Sequence, residues 1–89
     1  MAATKNSHEV YLVVDPPQDY DESLRIYGAY GSLAAAKRAM PRLRRKNVES
    51  WERRDTEIQL WRGDQHIATW RFAGDGSGRW TYRAEKAGA

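Results

Sequence analysis

Apolar and polar positions near the start of the chain follow the pattern of paired strands. Residues 9–14 combine β-branched and aromatic side chains, which favours a well-buried strand. Asp15-Pro16-Pro17 ends this strand, because proline cannot donate to a ladder. Residues 24–30 alternate in polarity and predict a second strand, joined to the first as a hairpin around the acidic loop 18–23. Gly28 inside it predicts a bulge or a close approach of another backbone.

The pattern then changes to a helical period. Ser32, which follows Gly31, predicts the N-cap of a helix that runs to about residue 47. Pro41 predicts a kink, or a break near Ala39 followed by a second short turn, because it has no N–H for the carbonyl four residues back. The apolar positions fall at i, i+3, i+7 and i+10 on one face that would cover the sheet: Leu33, Ala36, Met40 and Leu43.

Three further strands are predicted at residues 56–62, 66–72 and 79–84. Gly63-Asp64 marks the first turn between them, and the glycine-rich residues 73–78 form the second. The order β-β-α-β-β-β predicts an α+β fold, with one antiparallel sheet of about five strands and one helix on one face. The 89 residues form a single domain, with flexible tails expected at 1–7 and 85–89.

The segment that joins the second strand to the helix resembles a known pattern. Residues 26–37 read Ile-Tyr-Gly-Ala-Tyr-Gly-Ser-Leu-Ala-Ala-Ala-Lys. They are similar to many small uncharacterised proteins of fungi, bacteria and phages, in which a strand ends in Gly-aliphatic-aromatic and a Ser or Thr caps a helix with alanines and a lysine. The resemblance implies the strand–cap–helix arrangement, with residues 10–14 as the partner strand, and it implies no functional residue. Ala34 and Ala35 stand where those proteins often have acids.

The amino-acid composition excludes several kinds of chemistry. The chain has no cysteine, which excludes disulfides, thiolate catalysis and cysteine-ligated zinc, and which fits a reducing cytoplasmic setting. No apolar run approaches the length of a membrane span, and residues 1–8 lack the order of a signal peptide. We therefore expect no membrane association.

The basic charge is confined to one segment. Residues 37–54 carry eight bases and two acids, whereas residues 1–36 carry five acids and two bases. A cationic helix face attracts the phosphates of nucleic acids. The alternative interpretation is a solvated face that pairs with the acidic loop. The candidate polyanion contacts are Lys37, Arg38, Arg42, Arg45, Arg53 and Arg54.

Aromatic residues crowd into the last three strands and form a candidate binding surface: Trp61, Trp70, Phe72, Trp80 and Tyr82. A turn at Gly63-Asp64 pairs Trp61 with His66 and Leu60 with Ile67, which places Trp61 on the face of Trp70 and Phe72. If Phe72 opposes Trp80, all five aromatics share that face. If Phe72 opposes Arg79, Trp80 and Tyr82 lie on the other face. Ordinary core packing and a surface that binds a partner both remain open interpretations.

Other chemistries have little support in the sequence. The acidic loop lacks the EF-hand spacing, and the glycine loop precedes no helix that could bind a phosphate. His8 and His66 are isolated, so we predict no metal, no cofactor and no enzyme activity. The leading hypothesis is a protein-interaction module that binds a protein, a peptide or itself through sheet aromatics or a sheet edge. The alternative is sequence-nonspecific nucleic-acid binding through residues 37–54.

Overall fold

The computed structural model describes residues 9–85, and the tails predicted at 1–7 and 85–89 lie outside the described residues apart from Glu85. It contains one helix and one five-stranded antiparallel sheet with the strand order β2-β1-β3-β4-β5. The predicted α+β fold is confirmed. In chain order the elements are β1 Glu9–Asp15, β2 Arg25–Tyr30, α1 Leu33–Asn47, β3 Thr56–Arg62, β4 Gln65–Phe72 and β5 Trp80–Ala84.

Helix α1 begins where its cap predicts. The Ser32 hydroxyl accepts a hydrogen bond from the Ala35 N–H at 3.1 Å, which satisfies one of the donors that a helix start leaves without a partner. Of the two outcomes predicted for Pro41, the break is not seen, because α1 continues through Pro41 to Asn47. Buried residues on both sides of the proline, Ala39 before it and Leu43 after it, pack into the same core and hold the segment helical.

A bulge in β2 confirms the expectation for Gly28. Val13 pairs with Gly28 and Val14 pairs with Ile26, so Tyr27 is the extra residue. A Cβ atom at position 28 would lie 3.0 Å from the Tyr30 ring, so only glycine fits this position without displacing the ring. The bulge makes β2 an irregular edge of the sheet.

A second bulge, in β4, was not predicted. Trp61 pairs with His66 as expected, but Leu60 pairs with Ala68, which leaves Ile67 as the extra residue. The predicted Leu60–Ile67 pair is therefore wrong. The extra residue reverses the side-chain alternation between the turn and the rest of β4.

The core lies between α1 and one face of the sheet. It consists of one cluster of buried side chains: Val13, Ile58, Ala36, Ala39, Met40 and Leu43. Because of the β4 bulge, Ile58 shares this face with its cross-strand partner Trp70. Among residues 9–85, no helix has the length and apolar character needed to cross a membrane.

Candidate interaction surfaces

Four of the five predicted aromatics share the face of the sheet that carries the helix. Phe72 pairs with Trp80 and Trp70 pairs with Tyr82 across the 73–78 loop, which is one of the two registers considered. We call these four residues the aromatic strip. Ring centroids are 5.1 Å apart for Phe72 and Trp80 and 5.4 Å apart for Trp70 and Tyr82, with tilted planes. Such tilted geometries are favourable for aromatic pairs.

The aromatic strip is partly core and partly surface, because α1 packs over β1, β2 and β3. Trp70, Phe72 and Trp80 are half-buried and pack against the core, whereas Tyr82 is 61% exposed. Lys37 extends from the helix over the Trp80 ring, with its Nζ 4.8 Å from the ring centroid. An ammonium held over an aromatic face is attracted by the ring quadrupole. The exposed part of the strip therefore has a cationic border.

Strand β5 is an edge of the sheet, and its outward backbone groups can be identified. Ala73 donates its N–H to the Arg79 carbonyl, and Glu85 donates its N–H to the Ile67 carbonyl. Backbone groups of an antiparallel strand alternate between the two sides. The N–H groups of Tyr82 and Ala84 therefore point away from β4. Unlike β2, β5 pairs with its neighbour in regular register.

Trp61 lies on the opposite face from the aromatic strip, so the predicted five-aromatic face is wrong. The Ile67 bulge is the physical reason, because it places His66 and Trp61 together on the uncovered face. The Trp61 ring stacks on His66 with centroids 4.9 Å apart and planes 7° apart. Its Nε1 donates to Gln59 at 3.0 Å. Trp61 is thus held by neighbouring side chains of its own sheet.

A polar network occupies β3 and β4 on the uncovered face. Arg71 donates to Glu57 at 2.7 Å and to Asp55 at 2.8 Å, and Gln59 donates to the second Glu57 oxygen at 3.0 Å. Burial opposes ionisation of Asp55, but the Gly74 N–H and Arg71 outweigh it, so the pKa of Asp55 lies below its usual range. Glu57 and Gln59 are buried although no helix covers them. Their polar atoms are satisfied by each other.

The outer face of α1 is basic and solvent-exposed. Four of the predicted polyanion contacts lie on it: Lys37, Arg38, Arg42 and Arg45. Arg44 differs from them, because it donates to the Arg54 carbonyl and the Thr56 hydroxyl and covers the Phe72 ring. Arg44 therefore has a structural role, and the exposed set forms a separate cationic surface.

Arg54, also predicted as a polyanion contact, is engaged inside the protein. Its guanidinium is only 14% exposed and donates to Asp15 at 3.0 Å and to Glu22 at 2.6 Å. Hydrogen bonds from Arg54, and then from the Gln18 N–H, lower the pKa of Glu22 from 4.5 to about 2. These contacts join the loop after β1 to the segment before β3. The acidic loop thus pairs with Arg54 and not with the helix.

Trp51 was not among the predicted site residues, yet it is 78% exposed. It lies between α1 and β3, outside both periodic patterns, so neither alternation nor a helical stripe identified it. With Arg53, Glu52 and Gln18 it lines a groove of about 590 Å³. Its signal in the sequence was a tryptophan in a polar loop, next to the exposed Arg53.

Within residues 9–85, no three His, Cys, Asp or Glu side chains cluster as metal ligands. The imidazole of His66 contacts Trp61 and the Thr69 hydroxyl, and His8 lies outside the described residues. The surfaces that stand out are the aromatic strip with the β5 edge, and the basic face of α1. Comparisons of the chain with protein-family models, with curated proteins and with solved structures gave no match.

Proposed function

We propose that this domain is a non-enzymatic interaction module that binds an extended peptide segment of a protein partner along β5. The observation that carries the proposal is the combination of a regular edge strand with exposed aromatic area. The outward N–H and carbonyl groups of Tyr82 and Ala84 would form the backbone hydrogen bonds to an added strand. The Tyr82 ring would contact its side chains.

The two edges of the sheet differ in a way that favours β5. The Tyr27 bulge interrupts the pairing of β2, and bulges are a common means of blunting an edge against further pairing. Strand β5 has no bulge and presents Trp80 and Tyr82 on the same face. A strand added at β5 would extend this aromatic face by one row. Specificity would then come from alternate side chains of the bound segment.

Lys37 adds a second element of recognition. It lies over Trp80 at the border between the helix and the aromatic strip. An acidic or aromatic side chain of a bound segment would meet both the ammonium and the ring. Tyrosine and tryptophan are typical of the residues that dominate binding energy at interfaces, and here Tyr82 is exposed and Trp80 is half-buried.

A single substitution tests strand addition at this edge. Ala84→Pro removes an outward N–H without removing a hydrogen bond to β4, and proline is tolerated at such edge positions. Ala84→Ser keeps the N–H and serves as the matched control. Peptides selected from a random displayed library on the natural chain should bind Ala84→Pro at least tenfold more weakly than Ala84→Ser. Tyr82→Ala should weaken binding, and Tyr82→Phe should restore most of it.

The same variants test self-association. If the partner is a second copy of the chain, sedimentation velocity will show a concentration-dependent dimer that Ala84→Pro abolishes and Ala84→Ser retains. Peptides or dimers that tolerate Ala84→Pro as well as Ala84→Ser would contradict the proposal. The proposal would also be contradicted if the library selection enriched no peptide that binds in an extended conformation.

A further inference from the structure

Within residues 9–85, no acidic side chain forms an ion pair with the cations of α1. The helix carries six basic residues and no acidic residue between Leu33 and Asn47. Among residues 9–85, the cations in ion pairs are Arg25, Arg54, Arg62, His66, Arg71 and Arg83, and none of them belongs to the helix. The positive charge on the outer face of α1 is therefore not neutralised by acids within residues 9–85.

Three of these cations form one row along the helix. Arg38, Arg42 and Arg45 are spaced at i, i+4 and i+7, on the side opposite the buried positions, and all three are exposed. We call them the arginine stripe. Like charges at this spacing destabilise a helix. The helix thus carries a repulsion that an external anion would relieve.

The loop that follows the helix adds an aromatic platform. Trp51 is 78% exposed, and its neighbour Arg53 is also exposed. Arg45 and Lys46 line a groove of about 560 Å³, and Trp51 and Arg53 line a second groove of about 590 Å³. Glu52 lines both, so the end of the arginine stripe and Trp51 belong to adjoining grooves.

We propose that the arginine stripe and Trp51 together bind single-stranded nucleic acid, with the guanidinium groups on phosphates and the indole stacked on an unpaired base. Phosphate contacts release condensed counterions and require no base sequence. Base stacking on an exposed aromatic residue is equally tolerant of sequence. The site is separate from the β5 edge, so either surface can be tested without the other.

Arg54 and nearby acids set the limits of this site, since Asp19, Glu22 and Glu52 line the groove of Trp51. Arg54 does not contribute, because Asp15 and Glu22 hold its guanidinium. Glu49 is an exposed acid between the helix and Trp51. It should repel a phosphate backbone, so Glu49→Gln should tighten binding at low salt.

The first test is a fluorescence anisotropy titration of a labelled mixed-sequence single strand between about 50 and 200 mM salt. The triple variant Arg38→Gln/Arg42→Gln/Arg45→Gln should reduce the slope of log affinity against log salt by about 2, since each single-strand phosphate contact contributes about 0.7. The control triple variant Arg62→Gln/Arg79→Gln/Arg83→Gln removes two exposed charges from the sheet and one from the loop before β5. Both variants lower the formal net charge from +3 to zero. The control should keep the natural slope.

The second test separates stacking from charge. Trp51→Ala should weaken single-strand binding about tenfold and leave duplex binding unchanged, because paired bases cannot stack on the indole. Trp51→Phe should restore most of the affinity. Three results would overturn the proposal: no binding to the single strand at low salt, equal losses in the two triple variants, or tighter binding to polyglutamate than to the oligonucleotide. The last result would assign the surface to an acidic protein.

Discussion

Two arginines of the sheet and its loops differ from the three arginines of the arginine stripe in what their guanidinium groups contact. Arg54 and Arg71 each bind two carboxylates, and Arg54 is largely buried. Arg38, Arg42 and Arg45 face solvent, and no ion pair involves them within residues 9–85. The same residue type thus has a structural role in one region and is available for a ligand in the other.

The difference has a physical origin in the two kinds of element. A sheet and its connecting loops place residues from distant parts of the chain side by side, so Arg54 and Arg71 meet acids of other segments. The exposed face of a helix meets only its own positions at i±3 and i±4, and α1 has no acid at any of them. The exposed charge on the helix therefore contributes little to the fold, and we infer that it serves binding.

The largest difference in the free energy of unfolding is expected between variants of two adjacent arginines, Arg53 and Arg54. Arg54→Ala would leave the Asp15 carboxylate, which is 2% exposed, without its main partner. Removing one member of a buried ion pair costs about 3–5 kcal/mol. Arg53→Ala should stay within about 0.5 kcal/mol, because its side chain is exposed. Urea unfolding measures both values, and similar costs for the two variants would contradict the division into paired and solvent-facing arginines.

A second comparison lies within the sheet, between a buried and an exposed ion pair. Glu57→Ala removes an acceptor shared by Arg71 and Gln59, and should destabilise the fold by about 1–3 kcal/mol. Glu9→Ala removes the carboxylate partner of the exposed Arg62 and should cost at most about 1 kcal/mol. The free energies of unfolding of the two variants are measured by urea titration. Equal costs would show that burial does not determine the strength of these pairs.

The pH dependence of stability distinguishes the contact between Glu22 and Arg54 from the exposed charges of α1. Because Arg54 lowers the pKa of Glu22 from 4.5 to about 2, the folded state favours the ionised carboxylate. Its contribution is present above pH 4.5 and is lost as the pH falls from 4.5 towards 2. In Glu22→Gln, the loss of stability over this window should be smaller. Arg42→Gln should keep the natural pH profile, and an unchanged profile in Glu22→Gln would contradict the assignment.

Much of the fold could be predicted because its signals are local. The Ser32 cap, the bulge at Gly28 and the turn at Gly63-Asp64 each depend on a few neighbouring residues. The bulge at Ile67 carries no glycine and looks like ordinary strand sequence. It exists because Ile58 and Trp70 must face one helix together. That constraint belongs to the packed fold and not to the turn.

The residues of the candidate surfaces were harder to predict, because their exposure also depends on the packed fold. Arg53 and Arg54 look alike in sequence, but the acids that hold Arg54 lie 32 and 39 residues earlier. Trp51 belongs to no periodic pattern, so its exposure became visible only once the neighbouring elements were located. The local charge of the sequence identified the cationic segment. Long-range pairing determines which of its cations remain exposed.

The smallest expected effect is also the one that most directly separates stability from binding. Arg42→Glu replaces repulsion with attraction to Arg38 and Lys46 at i−4 and i+4, and such pairs stabilise a helix by about 0.2–0.5 kcal/mol each. Urea unfolding should therefore show a gain of a few tenths of a kcal/mol over Arg42→Gln. The same variant should bind single-stranded nucleic acid more weakly than Arg42→Gln, because it places a negative charge in the arginine stripe. A variant that is more stable and binds less would show that the helix carries its charge for a ligand, whereas a loss of stability above about 1 kcal/mol would give Arg42 a structural role.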